Sequence, residues 1–89
     1  MQRNKLKIFS GRSNPRLAEN IAKSLDRRLG EISIRTFSDG EIWVKYEENI
    51  RGCDVFIIQS TNGPSENIME LALLVDAAVR ASADTVTCL

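Results

Sequence analysis

Val55-Phe56-Ile57-Ile58 is an unbroken apolar run. A strand with one wet face alternates apolar and polar residues, whereas a strand covered on both faces does not, so this run reads as the middle of a parallel sheet. Gln59 to Pro64 follows as a loop at the strand's C-terminal end, the edge at which open α/β sheets place their ligands.

Outward from this run the pattern changes on both sides. Before it, Glu47 to Gly52 is a polar connection, preceded by strand-like segments at 31–37 and 42–46. Further upstream, Lys5 to Phe9 reads as a first strand with Leu6 and Ile8 on one face. Asn14-Pro15 opens a helix, because the asparagine side chain accepts from free N–H groups of the first turn and proline at the first helical position forfeits no hydrogen bond. Leu17, Ile21, Leu25 and Leu29 recur every three to four residues, with Ala18 and Ala22 beside them, and Gly30 is expected to close the helix. The turn before it, Ser10-Gly11-Arg12-Ser13, lacks a full phosphate-loop pattern and reads first as a structural connection.

Downstream, a second helix covers about Ser65 to Ala81. Its charged stripe is expected to run through Glu66, Glu70, Asp76 and Arg80, and Met69 and Leu73 fall inside that stripe, which implies protein beyond this sheet to cover them. Thr85-Val86-Thr87-Cys88-Leu89 reads as another buried strand. The order predicts an α/β fold: a mainly parallel sheet with flanking helices and a β-hairpin, expected to be cut off within the domain.

Composition narrows the function classes. The 89 residues are 43% hydrophobic and 27% charged, ordinary for a soluble globular chain. No apolar run is long enough to span a bilayer, and the first residues do not form a signal-peptide core, so a cytoplasmic protein is expected. Lys and Arg balance Asp and Glu at twelve each, although residues 1–28 hold eight basic side chains against two acidic ones. These basic residues are spread over a strand, a turn and a helix without interleaved aromatics, which argues for a solvated surface and against nucleic-acid binding. Cys53 and Cys88 make neither a zinc site nor a disulfide framework and are expected to be free and mostly buried. With no histidine, the commonest general base is missing, which disfavours a complete active site within these residues.

The candidate site is Phe37-Ser38-Asp39-Gly40-Glu41. In the segment before it, Ile32 and Ile34 share one face, so Phe37 falls on the other with Ser33 and Arg35. An outward aromatic beside two carboxylates is a plausible seat for a base with an amino group, while Ser-Asp-Gly between two strands is also an ordinary hairpin turn. The two readings are compatible. Trp43, on the outer face of the strand that follows, reads as packing more readily than as recognition.

These residues, together with Ile8-Phe9-Ser10-Gly11-Arg12-Ser13-Asn14-Pro15, Arg51-Gly52-Cys53-Asp54-Val55-Phe56-Ile57-Ile58-Gln59-Ser60-Thr61 and Asn67-Ile68-Met69-Glu70-Leu71, resemble the start of ribose-phosphate pyrophosphokinase. Asp76-Ala77 and Arg80 to Ala83 continue the likeness, which covers essentially the whole chain. The resemblance implies a phosphoribosyltransferase-like fold, with residues 1–89 as the N-terminal part of a single α/β domain. It implies an enzyme that transfers pyrophosphate from ATP to ribose 5-phosphate with Mg2+, acting as a homo-oligomer, a hexamer in the family. By the same resemblance Phe37, Asp39 and Glu41 hold adenine across a subunit interface, and Arg51 and Ser82 lie near a regulatory phosphate or ADP site. The family's catalytic and metal-binding groups match positions beyond Leu89, so no catalytic residue and no metal ligand is expected in this chain. A non-catalytic regulatory homologue that associates with the synthetase is the alternative.

Overall fold

In the computed structural model, which describes residues 6–60 and 65–88 apart from the Glu66 side chain, the apolar run becomes the central strand β4 (Asp54–Ile58). β1 (Leu6–Ser10) and β5 (Thr85–Cys88) lie parallel to it, one on each side. The connections carry α1 (Pro15–Ser24) and α2 (Ser65–Arg80), and β2 (Ile32–Thr36) with β3 (Ile42–Tyr46) forms a separate antiparallel hairpin. Lys5 and Leu89, read as parts of the first and last strands, and residues 61–64 of the loop after β4 lie outside the described residues.

Both faces of β4 are covered, as its lack of alternation requires. Ile8 pairs beside Phe56 and Phe9 beside Ile57, so alternate residues point to opposite layers. On one face Ile8 and Ile58 pack with Ala18 of α1, and Ile21, Leu29 and Phe56 close around them. On the other face Phe9, Val55 and Ile57 pack with Leu74 and Ala78 of α2 and with Ile50 and Cys53. The hairpin lies on this second layer through Ile32, Ile34, Val44 and Tyr46. Tyr46 joins three elements: its ring stands edge-on to Phe9 with centroids 4.7 Å apart, and its hydroxyl donates to the Leu74 carbonyl at 2.8 Å. Burial raises the pKa of this phenol well above its ordinary value.

Three expectations are corrected. The first helix ends at Ser24 rather than near Gly30. Asp26 adopts φ 55°, the Arg27 N–H donates to the Ala22 carbonyl at 2.9 Å and the Asp26 N–H to the Lys23 carbonyl at 3.0 Å, which is a Schellman ending with aspartate in the place usually held by glycine. Gly30 instead donates its N–H to the Ile8 carbonyl and presses against Phe9, where an added Cβ would stand 2.4 Å from a ring carbon. As a result Leu25 leaves the helical face it was assigned to and is half exposed, as is Leu17. The third correction is at β5: Thr85, Thr87 and Cys88 are exposed, because this strand has a pairing neighbour on one side alone among the described residues, and Cys53 is the buried thiol. The helix start holds as read, with Asn14 Oδ1 accepting from the Leu17 N–H at 3.1 Å.

Candidate functional site

The hairpin sets out the first group of candidate residues. Phe37 and Glu41 close its loop: the Phe37 N–H donates to the Glu41 carbonyl at 2.8 Å and the Gly40 N–H to the Phe37 carbonyl at 2.9 Å. Gly40 takes φ +89°, a conformation that side-chain-bearing residues rarely adopt. Asp39 Oδ1 accepts from the Glu41 N–H at 3.1 Å, so one carboxylate oxygen stabilises the turn itself. The ring of Phe37 is 48% exposed and adds nothing to either core cluster. Next to it on the outer face, the Arg35 guanidinium sits 5.7 Å from the Trp43 ring centre. Trp43 is thus partly exposed and packs on a cation rather than in the core. The stretch is a hairpin turn that also displays an aromatic face and the carboxylates of Asp39 and Glu41 on one corner.

A second group lies where β1 and β4 end, and sequence reasoning missed it. Glu70 was assigned to the outer charged stripe of the second helix, but it is 4% exposed and faces inward. Its carboxylate accepts from the Arg12 N–H at 2.7 Å, from Arg12 Nε at 2.8 Å and from Gln59 Nε2 at 3.1 Å. Gln59, also buried, accepts at Oε1 from the Ser13 N–H (3.1 Å) and the Ser13 hydroxyl (2.7 Å). Ser13 Oγ in turn accepts from the Ser60 N–H at 2.7 Å. The signal was present in the spacing: Glu70, Leu74 and Ala78 recur every four residues and share one helix face. Hydropathy hid it, because a buried carboxylate is tolerated only where cations and N–H groups meet it, and those come from residue 12. The network also explains why Ser10 to Ser13 is no phosphate cradle. The Gly11 N–H donates to the Ile58 carbonyl, and those of Arg12 and Ser13 go to Glu70 and Gln59, so the chain's own carboxylate occupies the place of an anion.

Arg51 and Ser82 meet at the opposite end of the sheet. Arg51 precedes β4, Ser82 precedes β5, and the Gly52 N–H donates to the Ser82 carbonyl at 2.9 Å. Ser82 takes φ 68° and ends α2 in the same Schellman pattern, with Ala83 bonded back to Ala78 and Ser82 to Val79. The Asn49 side chain accepts from the Arg51 N–H at 3.1 Å. Both Arg51 and Ser82 are exposed. The structure therefore brings Arg51 and Ser82 to one corner and keeps them apart from Phe37, Asp39 and Glu41. A cleft of about 580 Å3 between the C-terminal end of α1 and β1 is lined by Lys7, Arg27, Arg28 and Glu48 among others, and no candidate residue reaches it. Among the described residues no three His, Cys, Asp or Glu side chains converge. No helix among them is long and apolar enough to cross a membrane.

Residues 6–89 match the model of the N-terminal domain of ribose phosphate pyrophosphokinase. This chain belongs to the ribose-phosphate pyrophosphokinase family. It is 57% identical over 82 residues to the ribose-phosphate pyrophosphokinase of Corynebacterium ammoniagenes, which covers 91% of this chain and 26% of that protein. The crystal structure of phosphoribosylpyrophosphate synthetase from Mycobacterium smegmatis superposes with a TM-score of 0.91 at 40% identity, over 96% of this chain and 29% of that one. A purine phosphoribosyltransferase from Pyrococcus horikoshii, at 12% identity and a TM-score of 0.64 over 94% of this chain and 58% of its own, shares the fold. The fold is accordingly phosphoribosyltransferase-like, with a mixed parallel and antiparallel strand arrangement and flanking helices. The chain spans 21% to 26% of the length of the pyrophosphokinase relatives it matches.

Proposed function

We propose that this chain supplies one side of the ATP site of a ribose-phosphate pyrophosphokinase, which transfers pyrophosphate from ATP to ribose 5-phosphate. The observation that carries the reading is the exposed Phe37 ring on a turn that also presents Asp39 and Glu41. In this reading Phe37 stacks on adenine and Glu41 accepts a hydrogen bond from its exocyclic amino group. Asp39 contributes its carboxylate as well, and holds the turn through the Glu41 N–H. These contacts select and orient the nucleotide. Pyrophosphoryl transfer itself needs charge neutralised around the phosphates and an aligned hydroxyl. Mg2+, when bound, would supply part of that neutralisation, and its ligands belong to groups other than those described. Arg51 and Ser82 are assigned to a separate regulatory phosphate or ADP site, at the other end of the sheet.

Kinetics of a full-length synthetase carrying this chain as its N-terminal region test the reading. Phe37→Ala is expected to raise KM for ATP by an amount matching a stacking loss of about 1 to 3 kcal/mol, with kcat little changed. Glu41→Gln is expected to relax discrimination against GTP, since a site built to accept from an amino group rejects a carbonyl there. Because the motif is assigned to a site shared between subunits, mixing Phe37→Ala subunits with subunits disabled in the catalytic loop should restore activity through hybrid sites. Unaltered ATP and GTP kinetics in both variants would reduce the stretch to a hairpin turn. The 89 residues alone are expected to form no phosphoribosyl pyrophosphate.

A further inference from the structure

The buried Glu70 does more than neutralise Arg12. It fixes the guanidinium plane through Nε and a second nitrogen, Nη2, which lies 2.8 Å from Glu70 Oε1. The same Nη2 also donates to Thr36 Oγ1 at 2.7 Å. Thr36 is the last residue of β2 and is joined directly to Phe37. The carboxylate is anchored in turn by the Arg12 N–H and by Gln59 Nε2, and Gln59 holds the turn after β1 through Ser13. One line of contacts thus runs from the interior of the parallel sheet to the strand end that carries the adenine motif. The hairpin belongs to a different sheet from β1, β4 and β5, so backbone pairing does not orient its loop relative to them. The hairpin rests on the second layer through Ile32, Ile34, Val44 and Tyr46, and Arg12 adds a contact at the loop end of β2.

We infer that Arg12 is a positioning residue for nucleotide recognition: clamped by Glu70, it holds Thr36 and thereby sets where Phe37, Asp39 and Glu41 stand relative to the ends of the parallel strands. A planar fork suits this role, because Nε and Nη2 serve Glu70 while Nη2 also reaches Thr36, whereas a lysine ammonium is a single point of charge. The inference rests on the adenine reading of the Phe37 to Glu41 turn. It concerns KM for ATP, since Arg12 and Thr36 act on the turn and not on the transferring phosphates.

The test uses a full-length synthetase carrying this chain. Thr36→Val keeps the shape and the β-branch but removes the hydroxyl acceptor, and Thr36→Ser keeps the acceptor. Thr36→Val is expected to raise KM for ATP about three- to tenfold, the range for one typical net hydrogen bond at an exposed site, with kcat and melting temperature unchanged. Thr36→Ser is expected to restore KM. Arg12→Lys should raise KM at least as much, and Arg12→Lys/Thr36→Val no more than the larger single effect, because both variants remove the bond between Arg12 and Thr36. Equal shifts in Thr36→Val and Thr36→Ser, or effects that multiply in the double variant, would overturn the inference. So would an unchanged KM in Thr36→Val while Phe37→Ala raises it, an outcome that leaves the adenine reading standing. If Phe37→Ala is itself without effect, the adenine reading fails and the inference fails with it.

Discussion

At the scale of single residues, the chain places charge where it has partners. Glu48 is half-buried, accepts from Lys7 Nζ at 2.5 Å and from the Glu31 N–H at 2.6 Å, and so joins β1 to the segment entering β2. The Lys7 hydrogen bond, then the Glu31 N–H, hold the Glu48 carboxyl below its usual range, and the bond to Glu48 raises Lys7 above its own. The signs follow from linkage. Stabilisation from Glu48 is present above its unfolded pKa and is lost as pH falls through the lower folded value. Stabilisation from Lys7 is present below its unfolded pKa and is lost as pH rises through the higher folded value. Lys7→Met is therefore expected to destabilise at neutral pH by no more than about 1 kcal/mol, as for other partly exposed pairs. The difference from the parent should vanish in acid, below the ordinary carboxylate range. Melting temperature measured against pH checks this, and a difference that stays constant from neutral pH into acid would show that the pair contributes nothing.

At the scale of elements, helix endings depart most from simple rules. Both helices close with a left-handed residue that bears a side chain, Asp26 after α1 and Ser82 after α2. That conformation costs an L-residue roughly 1 to 2 kcal/mol, less for aspartate, whose short polar side chain tolerates it. Asp26→Gly removes the cost but loosens the unfolded chain, so a net gain of up to about 1 kcal/mol is expected in denaturant unfolding, without loss of ATP binding. A destabilised Asp26→Gly would mean that the aspartate side chain is itself needed at the turn. Ser82 takes the same geometry at the corner where the Gly52 N–H meets its carbonyl.

At the scale of the whole molecule, α2 separates two environments. Its inner face buries Glu70, Leu74 and Ala78, while Ile68, Met69 and Val79 are exposed and Leu73 is half-buried. Exposed apolar side chains on one helix call for a cover, and the chain spans 21% to 26% of its relatives. In a full-length synthetase Leu73→Asp is expected to weaken folding or assembly, because burying a leucine is worth about 1.5 to 3 kcal/mol and a buried unpaired carboxylate costs more. Sizing and thermal melting read the effect. An unchanged oligomer and melting temperature would show that this face stays wet.

The sequence by itself determined the features that depend on local pattern: the covered central strand in Val55 to Ile58, the Asn14-Pro15 helix start, the alternation of β3 and the outward Phe37. Each follows from periodicity or from the conformational limits of one or two residues, which neighbours along the chain suffice to express. Only the tertiary structure decided that the first helix stops at Ser24, because Leu29 and Gly30 are drawn into pairing and packing with β1. It likewise turned Glu70 inward, brought Arg51 to Ser82 and carried Arg12 to Thr36. Those outcomes rest on partners far apart in the chain. A carboxylate is driven to water or to a cation with comparable strength, and which one wins depends on whether folding brings an arginine fork within reach.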